Sequence, residues 1–588
     1  MNSIRRIRSI SFCLILSFSW CASASAENVY STYTSLSTIL RELQSEFSEF
    51  VRLSSLAVSA EGREVWLLEI GAGSEEERLA RPAMLVVAGV EGNHLAGTET
   101  ALAFVKQLCR TGNPSEDKLA LLKTTTIYVI PRLNPDGAER YFHKPQMEFV
   151  TNTAPYDDDR DGLTDEDGPD DRNGDGIISW MRIEDAIGTW IEHPDDMRIL
   201  IEADPAKGER GRWLLQVEGR DNDGDEKINE DGLGGVNFNN NFPFAYPWFE
   251  PQAGIYQMSE KETRGLAEFI VSHPHIGVVF TLESQGNLLK KPETDKGSNR
   301  RDPQTKIREE DGNYYEQLGK DYRERMQITK EIKTDSVPGS FSDWIYFHRG
   351  RLALSAPVWN PEIALALKKK EGQPEKKEES TEKEENGEVE KNEKSEQQSD
   401  KKKDDERGKT DRDYLAWLDT NAPGAFIPWS RIEHPDYPGQ IVEVGGFAAY
   451  AKVLPPATLL NRLTENQALF LIQLANKLPR IAIRDLSVKH LGEGVYDLRV
   501  LVGNDGYLPT VLAHGERTRE VLPTRIEIDL PGEAFLAGGK RTMLGPIAAG
   551  EVKEQRYIVK AEKEATATVR IISALAGCVE RTIKFSEN

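Results

Sequence analysis

The segment Ile127-Tyr-Val-Ile-Pro-Arg-Leu-Asn-Pro-Asp-Gly137 decides the fold, because it is typical of a short buried strand that ends at a proline. Similar apolar strands are predicted upstream at Val65–Ile70 and Met84–Ala88, and helical spacing follows at Thr98–Leu108. Strands that alternate with helices favour a largely parallel sheet. We therefore predict an α/β fold.

The same pattern continues downstream and then changes after Pro479. A helix is predicted at Ser259–Ser272, a strand at Val278–Leu282, and a helix that closes the α/β domain at Leu459–Leu478. Beyond the proline, alternating apolar residues are separated by Gly, Asn and Pro, which is typical of a small β-sandwich. Its predicted strands are Val495–Val502, Arg525–Leu530, Gln555–Lys560 and Thr566–Ile572. The predicted domains are thus residues 27–479 and 480–588.

Composition and charge exclude several classes of protein. The chain has 588 residues, of which 38% are hydrophobic and 29% charged, as expected of a globular protein with more than one domain. It carries 97 acidic and 74 basic residues, a formal net charge of −23. Such acidity argues against a general nucleic-acid binder or a protein of anionic membrane surfaces.

Residues 1–26 have the features of a secretory signal peptide. Several arginines precede an apolar run at Ile10–Trp20, and Ala24-Ser-Ala26 supplies the small residues of a cleavage site. We expect export to the periplasm or the extracellular space. No later apolar stretch is long enough to cross a bilayer, so no membrane anchor is expected.

Two segments differ in composition from the rest of the α/β domain. Residues from about 368 to 412 are almost all charged or polar, which predicts a disordered linker because too little apolar surface is available to bury. Residues from about 151 to 235 are acidic and loop-rich, and we interpret them as an insertion.

The insertion contains an acidic motif twice, at residues 157–168 and 221–232, and a third, shorter version at residues 171–179. Alternating carboxylates on a tight loop converge on a hard cation, as they do in calcium loops. No copy ends in the bidentate Glu of an EF-hand, and the clustered carboxylates would repel one another without a cation. We predict structural calcium bound by Asp157, Asp159, Asp161, Asp165, Asp171, Asn173, Asp175, Asp221, Asp223, Asp225 and Asn229.

Five motifs in order, preceded by Glu61-Gly-Arg63, resemble the zinc carboxypeptidase family over most of residues 30–360. They are Asn134-Pro-Asp-Gly137, Val236-Asn-Phe-Asn-Asn-Asn-Phe-Pro243, Ser259-Glu-Lys-Glu-Thr-Arg264, Glu283-Ser-Gln-Gly286 and Gly339-Ser-Phe-Ser-Asp-Trp344. The acidic repeats and the C-terminal β-domain resemble exported bacterial members. The resemblance implies a mixed sheet flanked by helices and metal-dependent hydrolysis of a C-terminal peptide bond.

The metal positions that the resemblance implies are altered. The family motif His-x-x-Glu is matched in swapped order by Glu91 and His94, and Glu283 stands where the family has a third, histidine ligand. The implied ligand set for zinc or another divalent transition metal is one imidazole and two carboxylates. This set is harder and more anionic, which favours manganese, iron or calcium relative to zinc and raises the pKa of a bound water.

The other family positions are altered as well. The resemblance assigns substrate binding to Asn239 and Asn240, where Asn240 replaces the arginine that grips the terminal carboxylate. Pro357 occupies the position of the general-base glutamate, so no firm catalytic residue is predicted. Loss of a general base costs about two to four orders of magnitude in rate. Spacing selects no replacement among Glu362, Glu443, Arg132 and Arg182.

Two functions are compatible with the sequence. One is an exported metallocarboxypeptidase that acts on the C-terminus of a peptide or protein. The other is a catalytically silent peptide- or glycan-binding or scaffold protein that calcium stabilises. The substitutions favour the second, while a working role of the β-domain stays open, and no pattern indicates an oligomeric state.

Overall fold

The structure is a computed structural model that describes residues 29–109, 116–155, 162, 164–165, 167–229, 232, 234–296, 304–367 and 407–586. The predicted signal peptide, most of the predicted linker, and Asp157, Asp159 and Asp161 lie outside the described residues. Within the described residues, no helix combines the length and the apolar character that a bilayer-spanning segment needs.

The secondary structure consists of strands and helices with the following bounds. The strands are β1 Val51–Val58, β2 Glu64–Ile70, β3 Ala83–Ala88, β4 Thr126–Ile130, β5 Trp180–Glu184, β6 Trp190–Glu192, β7 Leu200–Glu202, β8 Trp213–Val217, β9 Ile276–Leu282, β10 Thr294–Asp295, β11 Ile307–Arg308, β12 Leu352–Ser355, β13 Phe426–Ile432, β14 Val442–Phe447, β15 Ile481–Gly492, β16 Val495–Asn504, β17 Arg525–Ile528, β18 Phe535–Ala537, β19 Arg541–Met543, β20 Val552–Lys560, β21 Thr566–Ser573 and β22 Gly577–Lys584. The helices are α1 Tyr33–Glu46, α2 Glu75–Leu79, α3 Leu95–Cys109, α4 Glu116–Thr124, α5 Pro135–Glu139, α6 Lys261–Ser272, α7 Glu309–Met326, α8 Phe341–Phe347, α9 Pro361–Ala366, α10 Lys409–Asn421, α11 Ala457–Asn476 and α12 Ala513–Thr518.

The main sheet has the strand order β1-β2-β4-β3-β9-β12. Strands β4, β3, β9 and β12 pair in parallel, whereas β1 and β2 add an antiparallel edge. Every residue of β3 and β9 is buried, so both faces of the sheet are covered, as expected for continuous apolar strands. The predicted mixed α/β sheet is confirmed. Since Ala88 pairs with Leu282, the carboxyl ends of β3 and β9 lie side by side.

The insertion is not only loops. Strands β5 to β8 join β13 and β14 in a second six-stranded sheet with the order β13-β14-β5-β8-β6-β7. One face packs a small core of Met181, Ile183, Val442 and Val444. The prediction of a loop-rich insertion is wrong for these residues, because β5 pairs with β8 of the insertion on one side and with β14, far along the chain, on the other.

The end of the predicted linker is also ordered. Helix α10 begins at Lys409, before the predicted boundary at residue 412. Arg407 pairs with Glu209 over 2.8 Å, and Arg412 pairs with Asp195 over 2.6 Å. These ion pairs attach the end of the charged segment to the insertion.

The C-terminal residues form two four-stranded sheets, β15-β16-β20-β18 and β19-β17-β21-β22. Alternate residues of both sheets share one hydrophobic core that includes Leu498, Ile526, Val559 and Val569. This arrangement confirms the predicted β-sandwich.

Candidate functional site

The candidate metal ligands lie at the carboxyl ends of the two central parallel strands. Glu91 follows β3, His94 immediately precedes α3, and Glu283 directly follows β9. The carboxyl edge of a parallel sheet is the usual place for a ligand site in α/β proteins. Glu91 and Glu283 are buried, with relative exposures of 5% and 0%.

Glu91 and His94 bind each other. Nδ1 of His94 lies 2.9 Å from Oε2 of Glu91, and Ser284 donates its backbone N–H to Oε2 over 2.8 Å and its hydroxyl to Oε1 over 2.7 Å. Although burial raises the pKa of Glu91, the adjacent His94 and Ser284 lower it to about 2. Burial lowers the pKa of His94, but the charge of Glu91 raises it overall. The two side chains therefore form a buried ion pair through Oε2 of Glu91, and Ser284 binds Oε1.

Glu283 differs from Glu91 in its hydrogen bonding and in the direction of its pKa shift. Neither of its carboxylate oxygens has a hydrogen-bond partner among the described residues. Burial, followed by the charge of Glu91, raises its pKa well above the usual range, although Ser342 and Asn239 nearby oppose the shift. A fully buried carboxyl group that lacks a partner is stable as the neutral acid. Burial and the charge of Glu91 thus both disfavour the ionised form of Glu283.

These three residues do not fit a zinc ion in this structure. Zinc requires its ligand atoms at about 2.0–2.2 Å, so the ligands must lie close to one another. In the described part of the chain, the ligand atoms of Glu91, His94 and Glu283 do not all approach within 4.8 Å of one another. The oxygens of Glu91 are in addition taken by His94 and Ser284.

The space between His94 and the general-base position is almost filled. His94 and Pro357 line one enclosed cavity of about 10 Å³, whose walls also include Leu282, Trp359 and Val453. A cavity of that size holds one water molecule at most. Pro357 cannot accept a proton, and the cavity that it lines with His94 is smaller than a peptide group.

The two predicted substrate-binding asparagines have different environments. Asn239 is buried, and its Oδ1 accepts the N–H of Phe341 over 3.1 Å while its Nδ2 has no partner among the described residues. Asn240 is partly exposed and donates its Nδ2 to the carbonyl of Pro338 over 2.9 Å. Neither can supply the charge of the missing arginine.

Residues of the motifs Glu61-Gly-Arg63 and Asn134-Pro-Asp-Gly137 stabilise loops rather than a reactive centre. Asp136 accepts hydrogen bonds from the Ser59 hydroxyl and from Nη1 of Arg63, both over 2.7 Å. A Cβ on Gly137 would lie 2.1 Å from the carbonyl of Thr151, so this position requires glycine. These contacts explain why Glu61-Gly-Arg63 and Asn134-Pro-Asp-Gly137 occur together.

A larger cleft lies beside the segment that follows β9, at Gln285, Gly286 and Asn287. Its volume is about 470 Å³, and Gln285, Phe244, Phe347 and Asp343 line it together with the lysines Lys290, Lys291, Lys306 and Lys333. Burial raises the pKa of Asp343 to about 6. Lys291 pairs with Glu316 and Lys306 with Glu293, whereas Lys290 and Lys333 form no ion pair with another described residue. We call this space the basic cleft.

Ser284 and Glu148, which act on Glu91 and His94, were not identified from the sequence. We call Glu91, His94 and Ser284 the closed centre. Ser284 belongs to the motif Glu283-Ser-Gln-Gly286, but its hydrogen bond to Glu91 depends on the pairing of β3 with β9. Glu148 raises the pKa of His94, and it accepts hydrogen bonds from Asn93 over 2.8 Å and from the Tyr450 N–H over 3.1 Å. No sequence pattern indicates this role of Glu148.

The residues considered as replacements are used elsewhere. Arg182 donates to Glu443 over 2.7 Å within the second six-stranded sheet, which we call the insertion sheet. Arg132 is buried and donates to the carbonyl of Ser31 over 2.6 Å and to Thr98 over 3.3 Å. Neither arginine therefore restores the clamp.

The second acidic motif forms a compact exposed loop. Asp221, Asp223 and Asp225 place carboxylate oxygens within 4.8 Å of one another, and no other group of His, Cys, Asp or Glu in the described residues does so. Backbone N–H groups of Gly224 and Glu226 donate to Asp221 over 2.5 and 3.0 Å.

The remaining predicted calcium ligands have other contacts. Asp171 accepts the N–H groups of Gly174 and Gly176 over 2.7 and 2.8 Å, and Nδ2 of Asn173 donates to Oδ2 of Asp175 over 3.0 Å. Oδ1 of Asp165 accepts the N–H of Gly234 over 3.0 Å, and Nδ2 of Asn229 donates to the carbonyl of Val217 over 2.9 Å.

Comparison with protein-family models gives two matches. Residues 36–170 and 209–382 match the model of zinc carboxypeptidase. Residues 480–584 match a domain of unknown function.

Individual relatives match over shorter segments. Carboxypeptidase D of Anas platyrhynchos is 36% identical over 110 residues, which is 19% of this chain and 8% of the relative. Carboxypeptidase D of Homo sapiens is 34% identical over 124 residues, 21% of this chain and 9% of the relative. The match thus spans less than a tenth of the length of these curated relatives.

Solved structures are similar at low sequence identity. Thrombin activatable fibrinolysis inhibitor is 14% identical with a TM-score of 0.35, and the alignment covers 56% of this chain and 66% of that chain. Carboxypeptidase A from Helicoverpa armigera is also 14% identical with a TM-score of 0.35, covering 55% of this chain and 63% of that chain.

Proposed function

Because the chain belongs to the zinc carboxypeptidase family, we propose that it is a member that has kept a polypeptide-binding cleft and lost metal-dependent hydrolysis. One observation carries the proposal: at the family's metal position, Glu91 is bound through both oxygens by His94 and Ser284. A metal ion would have to break this ion pair before it could bind. Family members activate water with zinc, and this chain has replaced that centre with an internal contact.

The substituted positions around the centre support the same function. Asn240 offers only neutral hydrogen bonds, and Pro357 offers no base. The cavity of about 10 Å³ between His94 and Pro357 is too small for a scissile peptide group. Each change weakens hydrolysis independently of the metal.

The occupant that we propose for the basic cleft is the C-terminal segment of a peptide or protein. The cleft measures about 470 Å³, within the size range of ligand sites, and Phe244 and Phe347 give it apolar walls. Lys290 and Lys333 are exposed at its rim and form no ion pair with described residues. Their charges suit a terminal carboxylate.

Peptide binding tests the cleft directly. Fluorescent peptides with either a free C-terminal carboxylate or a C-terminal amide are titrated into the mature protein. We expect the carboxylate form to bind more tightly, and Lys290→Ala/Lys333→Ala to remove that preference. Lys320→Ala, on the exposed face of α7, is the matched control. If the wild type bound the carboxylate and amide peptides equally well, the proposal that the cleft binds a C-terminal carboxylate would be wrong.

Metal analysis and peptidase assays test the loss of hydrolysis. We expect no stoichiometric transition metal after dialysis against trace zinc, and no release of C-terminal amino acids from peptides. One zinc ion per chain that disappears in Glu283→Ala, together with peptide hydrolysis, would overturn the proposal in favour of a working hydrolase.

We also propose that the protein is exported and that calcium stabilises its acidic loops. Clustering of the carboxylates of Asp221, Asp223 and Asp225 supports a cation there, because the like charges repel one another without one. A ligand that binds only the folded state raises stability, by about 2.7 kcal/mol at a hundred times its Kd. Excess chelator should therefore lower the Tm of the wild type by more than that of Asp221→Asn/Asp223→Asn, which keeps only the other acidic loops. Equal melting curves with and without chelator would refute the calcium claim.

A further inference from the structure

The insertion sheet has two chemically different faces. Side chains alternate along β5, so Met181 and Ile183 enter the small aliphatic core while Trp180 and Arg182 lie on the opposite face. On that opposite face, the guanidinium of Arg182 lies 4.5 Å from the ring centre of Trp213 and 4.6 Å from that of Trp429. Stacked arginine thereby fixes the orientation of Trp429.

An aromatic pocket of about 290 Å³ lies on this second face. Its walls include Trp180, Trp190, Trp429, Phe426 and Phe447, and Gly446 contributes to its floor. We call this space the aromatic pocket. It is formed jointly by the insertion and by residues 411–452, and it shares no lining residue with the basic cleft.

The pocket is open because its floor carries no side chain and one wall is exposed. Gly446 has a φ of +100°, and a Cβ there would lie 3.5 Å from Trp180 and 3.6 Å from Trp429. A larger residue would both strain the backbone and project between the two rings. The Trp180 side chain remains 43% exposed, which is unusual for such a large apolar residue.

The charged groups at the rim are already neutralised. Arg198 donates to both oxygens of Asp419, each over 2.9 Å, and to Asp196 over 2.7 Å. Lys452 pairs with Asp411 over 2.8 Å while its ammonium lies 4.3 Å from the Phe447 ring centre. The pocket therefore offers no unpaired cation for an anionic ligand, and its acidic groups already hold cations.

We propose that the aromatic pocket binds an uncharged saccharide. A sugar ring has an apolar C–H face that can stack on indole and phenyl rings, and hydroxyl groups at its edge that exchange hydrogen bonds with polar side chains. The indole N–H groups of Trp180 and Trp190 donate to no other described residue, so they are available to such hydroxyls. The paired side chains of Arg198 and Asp411 offer further donors and acceptors without requiring a charge on the ligand.

The volume also limits the ligand. About 290 Å³ lies at the lower end of the range for small-molecule sites. This size suits a short segment of a saccharide rather than a large globular partner. A proline-rich peptide is the other class of ligand that docks on aromatic grooves, but it offers few groups for the polar rim.

Calorimetry and tryptophan fluorescence on the mature full chain test the proposal. The probes are the tetramers of β-1,4-linked glucose and of β-1,4-linked N-acetylglucosamine, with a proline decamer as the competing class. We expect at least one tetramer to bind, and Trp180→Ala and Trp190→Ala each to weaken binding about tenfold. Trp248→Ala is the matched control, because this tryptophan is 56% exposed and lies outside the pocket.

The outcomes separate clearly. Saccharide binding that is weakened in both pocket variants and retained in Trp248→Ala supports the proposal. Absence of binding by the wild type to either tetramer overturns it, as does binding of the proline decamer alone. Peptide binding in the basic cleft is measured with different probes, so its failure would leave this result unaffected.

Discussion

The closed centre at Glu91, His94 and Ser284 and the aromatic pocket of the insertion sheet both gather charged side chains, but they use them differently. In the closed centre the ion pair is buried and occupies the position where a ligand would bind. In the aromatic pocket the ion pairs of Arg198 and Lys452 lie at the rim, against the phenyl rings of Phe426 and Phe447, and no described cation stacks on Trp180 or Trp190. The location of a pair, more than its presence, therefore decides whether a cavity remains.

The same contrast bears on how each region is stabilised. Two buried charges at the closed centre are tolerated only because each is paired, since an unpaired buried charge is very costly. At the pocket, solvent reaches Arg198, whose side chain is 41% exposed, so its pairs with Asp196 and Asp419 contribute little to stability. Substitutions in the two regions should therefore change the free energy of unfolding by different amounts.

The largest effect is expected for Glu91→Ala. It leaves His94 without its counter-charge in a buried position, which should lower the free energy of unfolding by about 3–5 kcal/mol. Urea denaturation at neutral pH measures the loss. Glu580→Ala is the control, because Glu580 is 58% exposed in its pair with Arg570 and should cost about 1 kcal/mol or less. Similar losses in both variants would show that the pair at Glu91 is not what stabilises the closed centre.

Glu262 sharpens the comparison, because it is buried but has no ion-pair partner among the described residues. Burial raises its pKa from 4.5 to about 7. Between these values the folded state keeps a proton that the unfolded state loses, so stability falls as pH rises, by up to about 1.4 kcal/mol per pH unit.

Glu262→Gln should remove that loss. The variant should gain stability relative to the wild type on going from about pH 5 to about pH 8, measured as the difference between their free energies of unfolding. His275, whose pKa burial lowers to about 4, contributes an opposite pH dependence that is the same in both proteins and cancels. A constant difference across this range would contradict the assignment.

A smaller effect is expected for Arg182→Met on the insertion sheet. The substitution removes the bond to Glu443 and the stacking between Trp213 and Trp429, and should cost about 2 kcal/mol. Tryptophan emission should change because Trp429 loses its neighbour. Arg499→Met, at a position 46% exposed, is the matched control and should leave both stability and emission almost unchanged. If tryptophan emission were unaffected in Arg182→Met, the stacking of Arg182 on Trp429 would not be what fixes the orientation of that ring in the pocket.

Much of the fold could be predicted from local patterns. Continuous apolar runs predicted β3 and β9 to within a few residues, because strands buried on both faces need no partner to be recognised. The strands of the insertion were missed for the opposite reason: β5 is short and carries charged residues, and its partner β14 lies far along the chain. Similarly, Ser284 was quoted in a motif, but its bond to Glu91 follows from the pairing of β3 with β9.

The sequence by itself determined which chemical groups stand at the family positions: a carboxylate at Glu91, an imidazole at His94, an amide at Asn240 and no base at Pro357. Residue identity is enough to exclude a charged clamp at Asn240 and a general base at Pro357. Only the tertiary structure decided that Ser284 binds both oxygens of Glu91 and that tryptophans from separate strands surround an open pocket. Both depend on contacts between segments far apart in the chain, and local periodicity carries no information about such contacts.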